Sequence, residues 1–272
     1  MRYILLFIAI FTFSCKYNIS SPVGTIKDYS ANSGKLFYTS SNDKTNDIEA
    51  TLKKNKHSLG KYLIKVSPTN DKSTEILTNI KEVLNKNLSF NNVEIDLSQT
   101  KITNIPKEMF TNTTNLGKIT LPDTVTNIEE SAFSGCYSLN SIRFPNNLEN
   151  ISEGAFSNCS GLKLIILSSG ALTNISKNAF YGSSSLVNLI LSGSLTNICN
   201  DAFSNCSKLA NVEYLGKTNS LPNCSPFSSS SYPTNLYLPE VEESGKTNFT
   251  NFLGKSWSNG NIHTNQHIPY NK

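Results

Sequence analysis

Glutamine and arginine are almost absent from this chain. Each occurs twice in 272 residues, against 36 asparagines and 22 lysines. Two arginines remove the usual bidentate reader of base edges, and a net charge of +4 is too weak to hold a polyanion. Nucleic acid is therefore not an expected partner. The Asn and Lys excess is the codon bias of an AT-rich genome and carries no function. Long apolar runs are also missing. The longest, residues 3–13 (YILLFIAIFTF), has 11 residues, short of the roughly 18 that a spanning helix needs. A multi-span membrane protein is excluded. Charge is sparse at 16%, and mean hydropathy is −0.27. Leu, Ile, Val and Phe nonetheless recur throughout, which excludes a charged disordered tail. What fills the chain is small and polar: Ser, Asn and Thr supply 97 residues. The length suits one or two domains.

The first residues read as a processing signal. A basic Met1-Arg2 start, a short apolar core and a small residue at its end describe a secretory segment over 1–14. Cys15 follows, the only cysteine before Cys136. Ser14-Cys15 at the cutting point resembles the lipobox of bacterial lipoproteins, although Thr12 and Phe13 depart from its usual Leu-Ala/Ser pattern. That resemblance implies a diacylated Cys15 as the mature N-terminus. Each buried CH₂ of an acyl chain contributes about 0.8 kcal/mol, so two or three chains anchor stably. Residues 15–44 are polar and read as a lipidated start and tether, with Leu36-Phe37-Tyr38 as one apolar island able to dock on the domain.

Self-comparison is the informative step. Phenylalanine recurs at Phe110, Phe133, Phe156, Phe180, Phe203 and Phe227, at spacings of 23, 23, 24, 23 and 24. Other columns keep the same register. Leu116, Leu139, Leu162, Leu186 and Leu209 stand six residues after a Phe; Ile105, Ile128, Ile151, Ile175 and Ile198 stand five before one. One rung of 23 residues cannot bury its apolar face alone, whereas stacked rungs can. Within a rung, Leu-x-x-Ile-x-Leu ends in period-two alternation, the mark of a short strand. An Asn-Ile segment reads as a second extended piece. The Ala-Phe-Ser-x-Cys segment is expected to form one helical or 3₁₀ turn that inserts Phe into the core.

The composite L-x-x-I-x-L-P-x-x-V-T-N-I-x-x-x-A-F-S-x-C resembles the BspA-like class of leucine-rich repeats, a family of bacterial surface lipoproteins. The resemblance covers about half the chain. It implies an α/β solenoid with capped ends, exported to the cell envelope as an outer-membrane surface lipoprotein. It also implies a non-catalytic, monomeric adhesion or protein-interaction module without a cofactor. Its partners would be host extracellular-matrix or cell-surface proteins, or surface proteins of other bacteria. A periplasm-facing structural lipoprotein is the alternative. A solenoid-scaffold carbohydrate-active enzyme is a third reading, and it would need carboxylates repeated on neighbouring rungs.

The expected domains are a signal at 1–14, a tether at 15–44, an N-terminal α/β cap at 45–98, the repeats at 99–232 and a C-terminal cap with tail at 233–272. In the first cap, 61–66 (KYLIKV) and 93–97 (VEIDL) read as strands. Residues 73–85 read as an amphipathic helix capped by Ser73 or Thr74. In the last, 236–239 (LYLP) resembles a final strand, 248–253 a closing helix and 263–272 a frayed tail.

Several residues are candidate sites. Cys136, Cys159 and Cys206 share one column, with Ser183 between them, and read as small core residues. Cys199 and Cys224 fall on adjacent rungs outside that column, where a disulfide is possible in an oxidising compartment. His263-x-x-x-His267 lacks a third ligand, so no metal site is expected. The column Asn104, Asn127, Asn150, Asn174 and Asn197 is structural, as an amide ladder if inward and a polar stripe if outward. Glu129-Glu130 and Glu242-Glu243 are adjacent rather than held across a cleft, and no catalytic motif is present. The strongest candidates are outward strand residues: the aliphatics Leu164, Ile166 and Ile190, with Asn188, rimmed by Arg143 and Glu213. Contiguous exposed apolar surface rimmed by charge marks an interaction site, unless another segment covers it.

Overall fold

The computed structural model describes residues 36–68, 74–219, 221–222, 224–228 and 233–269. Cys15, the signal segment, Ser73 and most of the tether lie outside them. The chain begins with α1 (Thr45–Leu59), β1 (Leu63–Lys65) and α2 (Glu75–Lys86). Each rung then adds one longer strand and one two-residue strand. These are β2 (Val93–Asp96), β3 (Asn104–Ile105), β4 (Leu116–Thr120), β5 (Asn127–Ile128), β6 (Ser141–Arg143) and β7 (Asn150–Ile151). They continue as β8 (Leu164–Leu167), β9 (Asn174–Ile175), β10 (Asn188–Leu191), β11 (Asn197–Ile198) and β12 (Asn211–Tyr214). The chain ends with β13 (Asn235–Leu238), β14 (Asn251–Phe252), β15 (Lys255–Ser256) and β16 (Ile262–Thr264).

The two-residue strands form one parallel sheet in the order β11-β9-β7-β5-β3. The longer strands form two parallel sheets, β1-β2-β4-β6 and β8-β10-β12-β13-β16. Their ladder breaks between β6 and β8. At that break Ile142 is only half-buried, while Ile119, Ile165, Leu189 and Val212 of the same column are fully buried.

The core is a spine of phenylalanines. Phe110, Phe133, Phe156, Phe180 and Phe203 stack with centroids 5.0–5.3 Å apart. The register comes from the backbone: each Phe N–H donates to the carbonyl of the Ala before the next Phe, at 2.7–2.8 Å from Phe110 through Phe180. The expected helical turn is absent. The backbone two residues before and two residues after each Phe is left-handed, from Glu108 (φ 54°) and Asn112 (φ 58°) to Asp201 (φ 62°) and Asn205 (φ 59°). Those reversals break a helix into successive tight turns, and Asn, Asp and Gly tolerate them best. The second position alternates Asn112, Gly135, Asn158, Gly182, Asn205. A Cβ on Gly135 would fall 2.2 Å from Asn112 Oδ1, and one on Gly182 2.4 Å from Asn158 Oδ1. Asn112 and Asn158 thus fill the space left by the missing side chains of Gly135 and Gly182.

The cysteine column packs as expected and also bonds. Cys136, Cys159 and Cys206 thiols donate to the carbonyls of Phe110, Phe133 and Phe180, one rung back, at 3.0, 3.1 and 3.3 Å. Ser183 does the same to Phe156 at 3.5 Å. The asparagine column is half-buried and forms a ladder over its last three members, Asn174 donating to Asn150 at 2.5 Å and Asn197 to Asn174 at 2.6 Å, while Asn104 and Asn127 donate to Glu129 and Thr126.

At the N-terminal end, β1, α2 and β2 lie where the sequence places them. Thr74 precedes α2 without a side-chain cap. Helix α1 was not legible: its buried stripe is Ile48, Thr51, Leu52 and Asn55, half of it polar. Asn55 exchanges hydrogen bonds with Phe37, and Thr39 bridges Val66. The apolar island therefore docks, and residues from 36 onward pack with this unit.

The C-terminal end departs from expectation twice. The proposed closing helix is a 3₁₀ segment (Glu243–Phe249) followed by the β14–β15 hairpin. Its turn residues Leu253 and Gly254 both have positive φ, which no helix accommodates. Phe249 and Phe252 close the core against Tyr214, and Trp257 Nε1 donates to the Phe252 carbonyl at 2.9 Å. The tail expected to fray instead forms β16, paired with β13. Residues 270–272 lie outside the described residues.

Candidate interaction face

Alternation along β8, β10, β12, β13 and β16 points one row of side chains away from the Phe spine. Strand pairing sets that row in register as Ile166, Ile190, Glu213, Tyr237 and His263. The row is not uniformly open. Ile166 is 44% exposed, Ile190 7%, Glu213 2% and Tyr237 8%.

The cover is the chain's own C-terminus. Asn265 N–H donates to the Leu238 carbonyl at 3.0 Å, and residues 266–269 then cross back over β13 and β12. Ile268 buries against Ile190 and Tyr237 with Leu215 beside them, a cluster separate from the main core. His267 Nδ1 lies 2.7 Å from Glu213 Oε1, and Ile268 N–H donates to Glu213 Oε2 at 2.8 Å. His263 stacks on Tyr237 with centroids 4.6 Å apart. The two histidines therefore serve two different contacts and form no pair. Among the described residues no cluster of His, Cys, Asp or Glu is placed to hold a metal, and no helix is long and apolar enough to cross a membrane.

The proposed patch is thus brought together only in part. Leu164 is half-exposed and pairs with Asn188 across β8 and β10. Asn188 accepts from Asn211 at 2.7 Å, starting a second ladder that Asn235 extends. Ile190 and Glu213 are buried beneath the C-terminal segment, so they are not open surface. Arg143 belongs to the other sheet, across the break. It pairs with Asp123 at 3.2 Å and donates to the Leu121 carbonyl at 3.3 Å. Burial pushes the Asp123 carboxyl up, but the Asn146 N–H and the Arg143 guanidinium together outweigh it and hold the group below its usual range. Sequence reasoning missed Tyr237 and Ile268, and weighed His267 only as half of a metal pair. Tyr237 shares the column of Glu213 and was findable; the other two follow the last repeat and carry no periodic signal.

Cys199 and Cys224 are free thiols. They line one surface cleft of about 460 Å³ with Lys177, Asn197 and Asp201. Burial, then the nearby Cys199, pushes the Cys224 thiol up to about 11. The paired glutamates are structural: Glu129 accepts from Asn104 and the Lys107 N–H, and Glu130 pairs with Lys107 at 2.9 Å.

Residues 103–233 match the family described as BspA type leucine rich repeat region, in six copies. This stretch is a BspA-type leucine-rich repeat region. The match spans the Phe spine and the first asparagine ladder, and the α/β unit, Asn235 at the end of the second ladder and the C-terminal segment lie outside it. No curated protein matches the chain. Among solved structures, a leucine rich cell surface protein from Faecalibacterium prausnitzii is 29% identical over 48% of this chain and 34% of that one, with TM-score 0.45. This chain therefore spans about a third of that protein's length. The T. pallidum Leucine Rich Repeat protein is 23% identical over 61% of this chain and 85% of its own, with TM-score 0.44. The pneumococcal vaccine antigen PcpA is 21% identical over 67% of this chain and 42% of its own, with TM-score 0.49. Within these BspA-type repeats, the pairs Lys107–Glu130 and Arg143–Asp123 each tie one rung to the next.

Proposed function

We propose that this is an exported, lipid-anchored protein that binds other proteins through the outward face of its repeats. Cys15 carries the acyl anchor, residues 16–35 space the folded part from the membrane, and the α/β unit and the C-terminal segment cap the solenoid. The partners are host extracellular-matrix or cell-surface proteins, or surface proteins of other bacteria. The protein acts as a monomer and without catalysis.

The observation that carries this reading is Ile166, an isoleucine 44% exposed on the outward face of a regular strand, with half-exposed Leu164 on the same strand and Val187, 36% exposed, just before β10. Aliphatic side chains left in water side by side on a regular strand mark a contact region. Two measurements test the proposal. Protease added to intact cells should digest the wild type, while Cys15→Ala is shed or left unprocessed. Ile166→Lys should keep the fold and lose partner capture. Protection of the protein until the envelope is opened would replace the surface reading with a periplasm-facing structural role.

A further inference from the structure

The C-terminal strap occupies a site that has the features of a peptide-binding pocket. Glu213 stands at an outward strand position, yet its carboxylate is almost fully buried. Both of its hydrogen-bond partners come from the strap: the His267 ring and the Ile268 N–H. A charge so buried is costly unless paired. It stands between Ile190 and Tyr237 in the outward row, where only the strap supplies its partners. Beside it, Ile190, Tyr237 and Leu215 form an apolar seat for one branched side chain. The strap adds no strand over 266–269; past Asn265 its described polar contacts are those two. It can therefore leave without disturbing the ladder, which ends at Thr264.

We infer that the row Ile190–Glu213–Tyr237 is a binding site for an extended peptide and that residues 266–269 occupy it in cis as an autoinhibitory ligand. The partner is a segment of another protein that presents a nitrogen-donor side chain directly before a branched aliphatic residue, the chemistry of His267-Ile268. The carboxylate reads the donor and one main-chain N–H, and the apolar seat reads the aliphatic. When the strap leaves, the site becomes continuous with exposed Ile166 on the next strand. This deepens the preceding proposal and takes from it only that this face meets protein.

The test is a fluorescence anisotropy titration with a labelled synthetic peptide of residues 264–272. The proteins are the wild-type full chain and the strap-releasing double variant His267→Ala/Ile268→Asp. The released chain is expected to bind at least about tenfold more tightly than wild type. Adding Glu213→Gln to it should cost at least about tenfold, and a scrambled peptide should bind neither. Ile190→Cys, labelled with a maleimide, gives an independent readout: slow with the strap in place, faster by at least about tenfold on release. No binding to either chain, equal binding to both, or unchanged labelling overturns the inference. The titration needs no cell and no anchor. Protein protected on whole cells would end the surface proposal alone, and a failed titration beside digested protein would end this one alone.

Discussion

Ile166 and Ile190 are register partners on adjacent strands, identical in residue type, column and direction, yet one is 44% exposed and the other 7%. The difference is Ile268, which covers only the second. Truncation should separate them. Ile190→Ala should destabilise by about 2 kcal/mol, the lower end for a buried isoleucine. Ile166→Ala should stay within about 0.5 kcal/mol. Urea unfolding of the two variants measures both, and equal effects would mean the strap does not seat as described.

The phenylalanine spine runs through the core as a continuous stack of rings. Phe156 contacts stacked rings on both sides, at 5.0 and 5.1 Å. Phe156→Ala should cost about 3–5 kcal/mol. Phe227, tilted at 36° and 6.1 Å from Phe203, ends the stack and should cost less. A flat profile along the spine, read by denaturant midpoints, would contradict the stacked arrangement.

Thiol reactivity should follow burial. Desolvation pushes Cys136 and Cys206 up to about 12, and burial likewise raises the Cys159 thiol well above its ordinary value. A raised pKa keeps the thiol neutral, so at pH 8 little of the reactive thiolate is present. Among these cysteines, iodoacetamide should reach half-buried Cys199 first and the column only after unfolding. Peptide mapping of a labelling time course shows the order. Early modification of Cys159 would mean the rungs open on that timescale.

Tyr214 stands where the earlier rungs carry Leu121, Phe144, Leu167 and Leu191, and buries its ring against Phe252, but its hydroxyl has no hydrogen-bond partner among the described residues. A buried unpaired hydroxyl costs about 1–3 kcal/mol. Tyr214→Phe is therefore expected to be neutral or to raise the melting temperature. A marked drop would reveal a partner for that oxygen.

The repeats were legible because each column restates one physical need: a Phe to stack, an Ile to pair, a small residue to close the turn. Six copies of a weak signal make a strong one. Helix α1 was not, because Thr51 and Asn55 fill half of its buried stripe and leave no apolar period. The outward patch was half legible. Alternation placed Leu164, Ile166, Ile190 and Glu213 on one face, but nothing in columns 23 or 24 residues long foretells that 267 and 268 return to cover two of them. Arg143 was assigned to the rim by counting rungs, and counting does not register the break between β6 and β8.

The alternation of Asn112, Gly135, Asn158, Gly182 and Asn205 makes the true translational period of this solenoid two rungs. Odd and even rungs are complementary, like teeth and gaps. Excising one rung would set two amides, or two empty sites, face to face. Excising the 46 residues from Asn112 up to Asn158 would keep the alternation in step. The architecture should therefore lengthen and shorten in pairs, and melting temperatures of one-rung and two-rung deletions should differ in that order.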